Sequence, residues 1–151
     1  MRRTNLITIV STPFLIFFLS CSSSRVSNSS SIGLLPLEYY IPTWSAHTAD
    51  TTYKVFQTDA AFRKAFTVAA GEAPRSPNFS SQMVVAILFK EGVGQSLRFE
   101  NAEVSGSTVT VFARSCMEQN CGNAVATIPK VANAKTIRFI INGNSTGKVD
   151  L

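Results

Sequence analysis

Histidine and tryptophan each occur once in this chain of 151 residues, and cysteine three times. A single histidine, His47, leaves no second imidazole for a metal site, and a site built from Cys116, Cys121 and His47 lacks a fourth ligand. Any Ser-His-Asp arrangement must also run through His47, and no Gly-x-Ser-x-Gly elbow presents a serine to it. Glu91, Glu100 and Glu103 read as outward-facing strand positions, not as a carboxylate pair for glycoside chemistry. There is no glycine-rich phosphate loop. Charge is sparse too, with 15% of residues charged (Asp, Glu, Lys and Arg) and a formal net charge of +5. No basic cluster is denser than Arg63-Lys64, so a solvated mixed-charge surface is expected and a nucleic-acid partner is not. These absences point to a chain without enzymatic chemistry, cofactor or metal.

What is present begins at the amino terminus. Met1-Arg2-Arg3 is a short basic region. The apolar segment from Leu6 to Leu19 is interrupted by Ser11-Thr12-Pro13, too short and broken for a spanning helix of about 20 residues. The stretch Phe18-Leu19-Ser20-Cys21 resembles a bacterial lipobox, in which the cysteine is acylated and becomes the new amino terminus; here Phe18 stands three places before the cysteine and Leu19 one place late. Residues 1–20 are therefore expected to be a lipoprotein signal peptide. Cys21 would carry the lipid anchor, each buried methylene adding about 0.8 kcal/mol of membrane affinity. By resemblance to the enterobacterial sorting rule, Ser22 in place of aspartate favours the outer membrane. Removing Arg2 and Arg3 leaves twelve Lys/Arg against nine Asp/Glu, a net +3. Using Cys21 for lipid also resolves the odd cysteine count, because Cys116 and Cys121 are then left to form a disulfide around a four-residue polar loop. Closing so short a loop contributes on the order of 2 kcal/mol in the chain-entropy model.

Residues 22–31 hold seven serines in ten positions and read as a flexible spacer, so 21–37 is expected to be a tether. The folded unit is expected over 38–145, with 146–151 as a fraying tail. Tyr39-Tyr40-Ile41 suggests a short strand, with Trp44 and His47 close behind. Thr52–Phe56 alternates as a strand does. Thr58 is placed to cap a helix over 59–69, with Phe62, Ala65, Phe66 and Ala69 on one face. Met83–Phe89 is continuously apolar and rich in β-branched residues, the character of a central strand covered on both faces. In the next strand Leu97 and Phe99 share one parity and Ala102 and Val104 the other. A bulge near Glu100-Asn101 would keep all four on the core face. Thr108–Ala113 and Thr136–Ile141 read as further strands. The expected fold class is α+β: one main helix packed on a mostly antiparallel twisted sheet of about six to seven strands.

In that order of elements the region from Tyr53 to Ile141 resembles the carboxy-terminal domain family of PrcB-type protease complex subunits. The likeness is carried by Val55-Phe56-Gln57-Thr58-Asp59-Ala60-Ala61-Phe62 with Phe66. It continues through Pro77-Asn78-Phe79-Ser80-Ser81-Gln82-Met83-Val84-Val85-Ala86, Ile128-Pro129-Lys130 and Arg138-Phe139. The turn after the apolar strand reads Gly92-Val93-Gly94-Gln95-Ser96, without the proline and tyrosine common there in the family. The resemblance implies a lipoprotein accessory domain that stabilises an exported protease and is not an enzyme. On the residues alone, three readings stand. The first is a non-enzymatic interaction domain held at the membrane, touching an exported protease or another envelope protein. The second is a small-ligand or cell-wall-binding lipoprotein using Tyr39, Tyr40, Trp44 and His47. The third is a small hydrolase using His47. Sheet edges and the turns at 90–96 and 116–122 are the expected contact surfaces, so Gly92, Gly94 and Gln95 join the four aromatic-segment residues as candidate interaction positions. Metabolic labelling with a fatty-acid probe should mark the protein and be lost in Cys21→Ser; labelling that persists in the variant would mean the anchor is elsewhere.

Overall fold

Backbone pairing begins inside the serine-rich stretch. Ser30–Ile32 (β1) and Leu35–Pro36 (β2) are strands, Leu37 is buried, and Tyr40–Pro42 (β3) follows. After a 3-10 turn at Trp44–Ala46 come Thr51–Phe56 (β4), the helix Asp59–Ala65 (α1) and Phe66–Val68 (β5). Six more strands follow: Gln82–Phe89 (β6), Leu97–Ser105 (β7), Thr108–Ser115 (β8), Ala124–Pro129 (β9), Thr136–Ile141 (β10) and Asn144–Asp150 (β11). The computed structural model describes residues 28–46, 49–90, 96–116 and 123–151. No helix among them is long and apolar enough to cross a membrane.

These strands form a five-stranded sheet in the order β1-β7-β8-β10-β11, a four-stranded sheet β2-β9-β6-β4, and the pair β3-β5. Neighbours run antiparallel except β8 and β10, which are parallel. β6 lies inside the four-stranded sheet, and every residue from Met83 to Phe89 is buried. Met83, Val85, Ile87 and Phe89 face the five-stranded sheet, meeting Val109 and Val111 of β8 and Ile137 and Phe139 of β10. Val84, Ala86 and Leu88 face the other way, against Phe56, Phe62, Ala65 and Phe66. Three layers result: the five-stranded sheet, the four-stranded sheet, and a cap made of α1 with β3 and β5.

Several local expectations hold. Thr58 caps α1, its hydroxyl accepting from Ala61 N at 3.3 Å, with Asp59 in the first turn beside the positive end of the helix dipole. The bulge falls between Phe99 and Asn101, and Leu97, Phe99, Ala102 and Val104 all pack on the inner core. Others need correction. The helix stops at Ala65, not at 69. Phe66 is extended (φ −133°, ψ 144°), and Phe66-Thr67-Val68 pairs with Pro42-Ile41-Tyr40. Aromatic and β-branched side chains prefer the pleated conformation, and a waiting partner strand decides the contest. The sheet of six to seven strands is replaced, among the described residues, by eleven strands split across sheets, with 55% of those residues in strand and 8% helical. Three of the extra strands lie where composition reads as tether or tail. At the carboxy end, Asn142 (φ 51°) and Gly143 (φ 81°) form the left-handed two-residue turn that suits the twist of a hairpin. Residues 144–150 therefore return as β11, pairing through Thr136↔Asp150.

The two sheets close on each other where β4 meets β11. Tyr53 of β4 packs 5.2 Å from Phe139, centroid to centroid, and its ring covers Gly147 of β11 so closely that a Cβ there would lie 2.5 Å from Tyr53 Cγ. Glycine is thus required by contact. Gly147→Ala is expected to cost about 1–3 kcal/mol in urea unfolding, as overpacking does. The same change made on Tyr53→Ala should cost clearly less, and an equal cost in both backgrounds would show that the ring is not the cause.

Candidate functional site

The cap is organised by aromatic packing. Phe62 lies with its ring centroid 4.9 Å from Tyr40, 4.9 Å from Phe66, 5.8 Å from Phe79 and 5.9 Å from Phe56. Such tilted and edge-on pairs contribute about 0.5–1.5 kcal/mol each beyond area burial. Tyr40 is the half-buried member, and its hydroxyl donates to Arg75 O at 3.1 Å, pinning the proline-bearing loop that follows β5. Its neighbour Tyr39 has φ 64°, a left-handed conformation that is costly for a side chain of this size. It is held there by its carbonyl, which accepts from Ala69 N at 2.9 Å. The ring of Tyr39 is consequently turned out and stands 50% exposed, with Ile41 at 52% and Val68 at 45%. Tyr39 precedes β3, and by the register Ile41↔Thr67 and Tyr40↔Val68 the exposed Ile41 and Val68 stand on opposite faces of the β3–β5 pair.

Two grooves flank this pair. The larger, about 750 Å³, is lined by residues 36–42, 97–99 and 123–125. It runs along the seam where the start of β7 approaches the start of β9. Leu37 N donates to Val125 O at 2.9 Å on one side, and Asn123 Oδ1 accepts from Phe89 N at 2.7 Å and fixes the entry to β9. The smaller groove, about 610 Å³, lies between α1, β5 and the loop at 72–77. Phe62, Phe66, Pro74 and Pro77 line it, with Asp59, Arg63 and Glu72 among its polar groups. Tyr40 borders both.

The electrostatics are those of surface pairs. Arg63 Nε donates to Asp59 Oδ2 at 2.6 Å, and that bond, with the attraction behind it, raises the guanidinium pKa above its usual value. Asp150 is held below the ordinary carboxylate range by the Lys148 ammonium at 3.0 Å and then by the Thr136 hydroxyl. Both pairs are solvent-exposed, so they contribute little to stability. Among the described residues no group of three His, Cys, Asp or Glu is gathered as a metal site would need.

Of the positions singled out by sequence, Tyr39 and Tyr40 are brought together at the groove lip. Trp44 begins the 3-10 turn behind them. Cys21, His47, Gly92, Gly94, Gln95 and Cys121 lie outside the described residues. Cys116 is disulfide-bonded, and its N–H donates to Ser96 O at 3.0 Å. The sequence reading did not find Ile41, Val68, Leu37 or the 97–99 edge. The pairing of β3 with β5, which exposes the first two, depends on contacts between segments some 26 residues apart in the chain (Ile41↔Thr67). No family model, curated protein or solved structure matches the chain.

The aromatic packing has a measurable signature. Phe62→Ala should lower unfolding free energy by about 3–5 kcal/mol, as for other buried phenylalanines. Tyr40→Phe, which removes only the bond to Arg75 O, should cost about 1 kcal/mol or less. Equal losses in the two variants, measured by chemical denaturation, would mean that the loop contact and not the ring packing holds the cap.

Proposed function

We propose that this chain is an extracytoplasmic lipoprotein, acylated at Cys21 and held at the outer membrane, whose folded domain is a non-enzymatic docking module for another exported protein. The observation that carries this reading is the exposure of Tyr39 and Ile41 at the larger groove and of Val68 at the smaller one. Exposed apolar side chains lining a groove are candidate contact points, and segments carried on a packed scaffold are where recognition concentrates. The PrcB-type resemblance, carried by order of elements, adds an exported protease as the candidate partner. A disulfide between Cys116 and Cys121 belongs to the same reading, since export delivers the domain to an oxidising compartment.

A second reading has its own support. The larger groove falls within the 300–1,000 Å³ typical of small-molecule sites and carries Tyr39 and Tyr40 at its lip. A small-ligand or cell-wall-binding lipoprotein would use it.

Photo-crosslinking in intact envelopes separates the two. A photoreactive residue at Ile41 or Val68 should give one discrete adduct with an exported protein. The same residue at Thr110, on the outer face of the five-stranded sheet, should give none. Absence of an adduct at both apolar positions, together with saturable retention of cell-wall fragments by the purified chain, would replace the docking reading with the ligand-binding one.

A further inference from the structure

β7 is paired with β8 from Leu97 to Ser105, but on its other side only in part. β1 meets Val104, Glu103 and Ala102 and ends at Ile32. The chain then crosses to the four-stranded sheet, where Leu35 and Pro36 join β9. Among the described residues no strand continues the line of β1 along 97–101. One hydrogen bond fixes which backbone groups face that open side. Cys116 N donates to Ser96 O, so Ser96 and Arg98 turn their N–H and C=O toward β8. By the alternation of an antiparallel ladder, Leu97 and Phe99 turn theirs toward the open side. That side forms one wall of the larger groove.

The side chains define what an added strand would carry. Leu97 and Phe99 point into the core, and Arg98 points out. Arg98 stands directly opposite Arg114 in the ladder, and the carboxylate of nearby Glu100 is bonded to Arg114 at 2.9 Å. Like charges opposed across a ladder destabilise it, and Arg98 has no acidic partner among the described residues. A residue placed opposite Arg98 on a new strand shares its outer face, where a carboxylate would offset this repulsion. The residues on either side of it share the face of Leu97 and Phe99, at the apolar floor of the groove.

We propose that the edge of β7 at 97–99 accepts an extended segment of the partner protein, antiparallel and in the line begun by β1, with one acidic residue between two apolar ones. This is strand addition, in which backbone bonds supply affinity and alternate side chains supply selectivity. It rests on the docking reading for the segment's belonging to another protein. Glu38 lines the facing wall of the groove and takes no part in the added ladder.

The test is an amide NMR titration of the full chain with a synthetic pentapeptide, threonine–valine–glutamate–valine–threonine. Leu97 and Phe99 N–H should shift and exchange more slowly. N-methylation of both valines, whose backbone groups face β7, should abolish this. N-methylation of the glutamate, whose backbone faces away, should leave it intact. Arg98→Glu should weaken binding about fivefold, the scale of a cross-strand charge pair, and lysine in place of the peptide's glutamate should restore it. No shift at millimolar peptide, shifts confined to the groove beside α1, binding that survives methylation of both valines, or loss on methylation of the glutamate would overturn the proposal. So would slow exchange at both amides in the free chain. Dependence of that exchange on protein concentration would assign the edge to a second copy, and independence to a segment of the same chain. The result is separable from the docking reading. Peptide binding without an envelope adduct at Ile41 or Val68 supports the edge and sinks the partner, and the reverse moves docking to another surface.

Discussion

Burial of β6 on both faces is the constraint from which the other layers follow. A strand with no side chain in water must pair its backbone on both edges, because unbonded amides in such a place cost as much as lost hydrogen bonds. β4 and β9 supply those edges, from Phe56↔Val84 to Thr51↔Phe89 and from Gln82↔Pro129 to Ile87↔Ala124. Each face then needs its own apolar cover. The period of two along Met83–Phe89 sends four side chains to the five-stranded sheet and three to the cap. A one-residue slip would exchange the two sets, placing large residues where Val84, Ala86 and Leu88 fit against Phe62. Register in the middle sheet is therefore fixed from both sides.

The short elements at the periphery are accommodations to that middle layer. α1 has seven residues, too few to be stable alone, and is held by Phe62 and Ala65 lying on β6. Its last turn gives way to β5 because β3 lies alongside, and the strained Tyr39 is the turn by which the chain enters β3. Strain of this kind persists only where surrounding bonds over-determine the backbone. Here those bonds are Ala69 N to Tyr39 O and Thr43 N to Ala65 O, one at each end of the β3–β5 pair. The outward ring of Tyr39 is thus a consequence of how the cap is closed.

The parts legible in the sequence are those whose signal is local. The run at 83–89 shows its double burial by having no polar side chain, Thr58 shows its cap by position, and the parity switch between Phe99 and Ala102 shows its bulge. The Asn142-Gly143 hairpin is equally local, but the polar residues after it have the composition of a tail. Serine content hides β1 similarly, and Pro36 hides β2. Ser30 and Ser31 are paired with Val104 and Glu103 because an edge position on β7 was open, a fact recorded in β7 and not in the serines. The grooves were not legible at all. They arise where β1 leaves one sheet for the other and where β3 finds β5, and neither event has a signature within a single window of residues.

Pairing from Ser30 onward also changes how an anchor at Cys21 would act. Only residues 22–29 then separate lipid from strand, in place of the longer tether that composition suggests. Eight residues reach at most about 26–29 Å even when fully extended, so such an anchor would keep the domain close to the membrane surface. A partner confined to the same surface meets it at a high effective concentration, which raises the avidity of an otherwise weak contact without any new bond. Four backbone groups and one charge pair at a short edge make a weak contact by themselves. The proposed lipidation and edge pairing would in that sense be complementary: the first would supply proximity, and the second the geometry that decides which neighbour is kept.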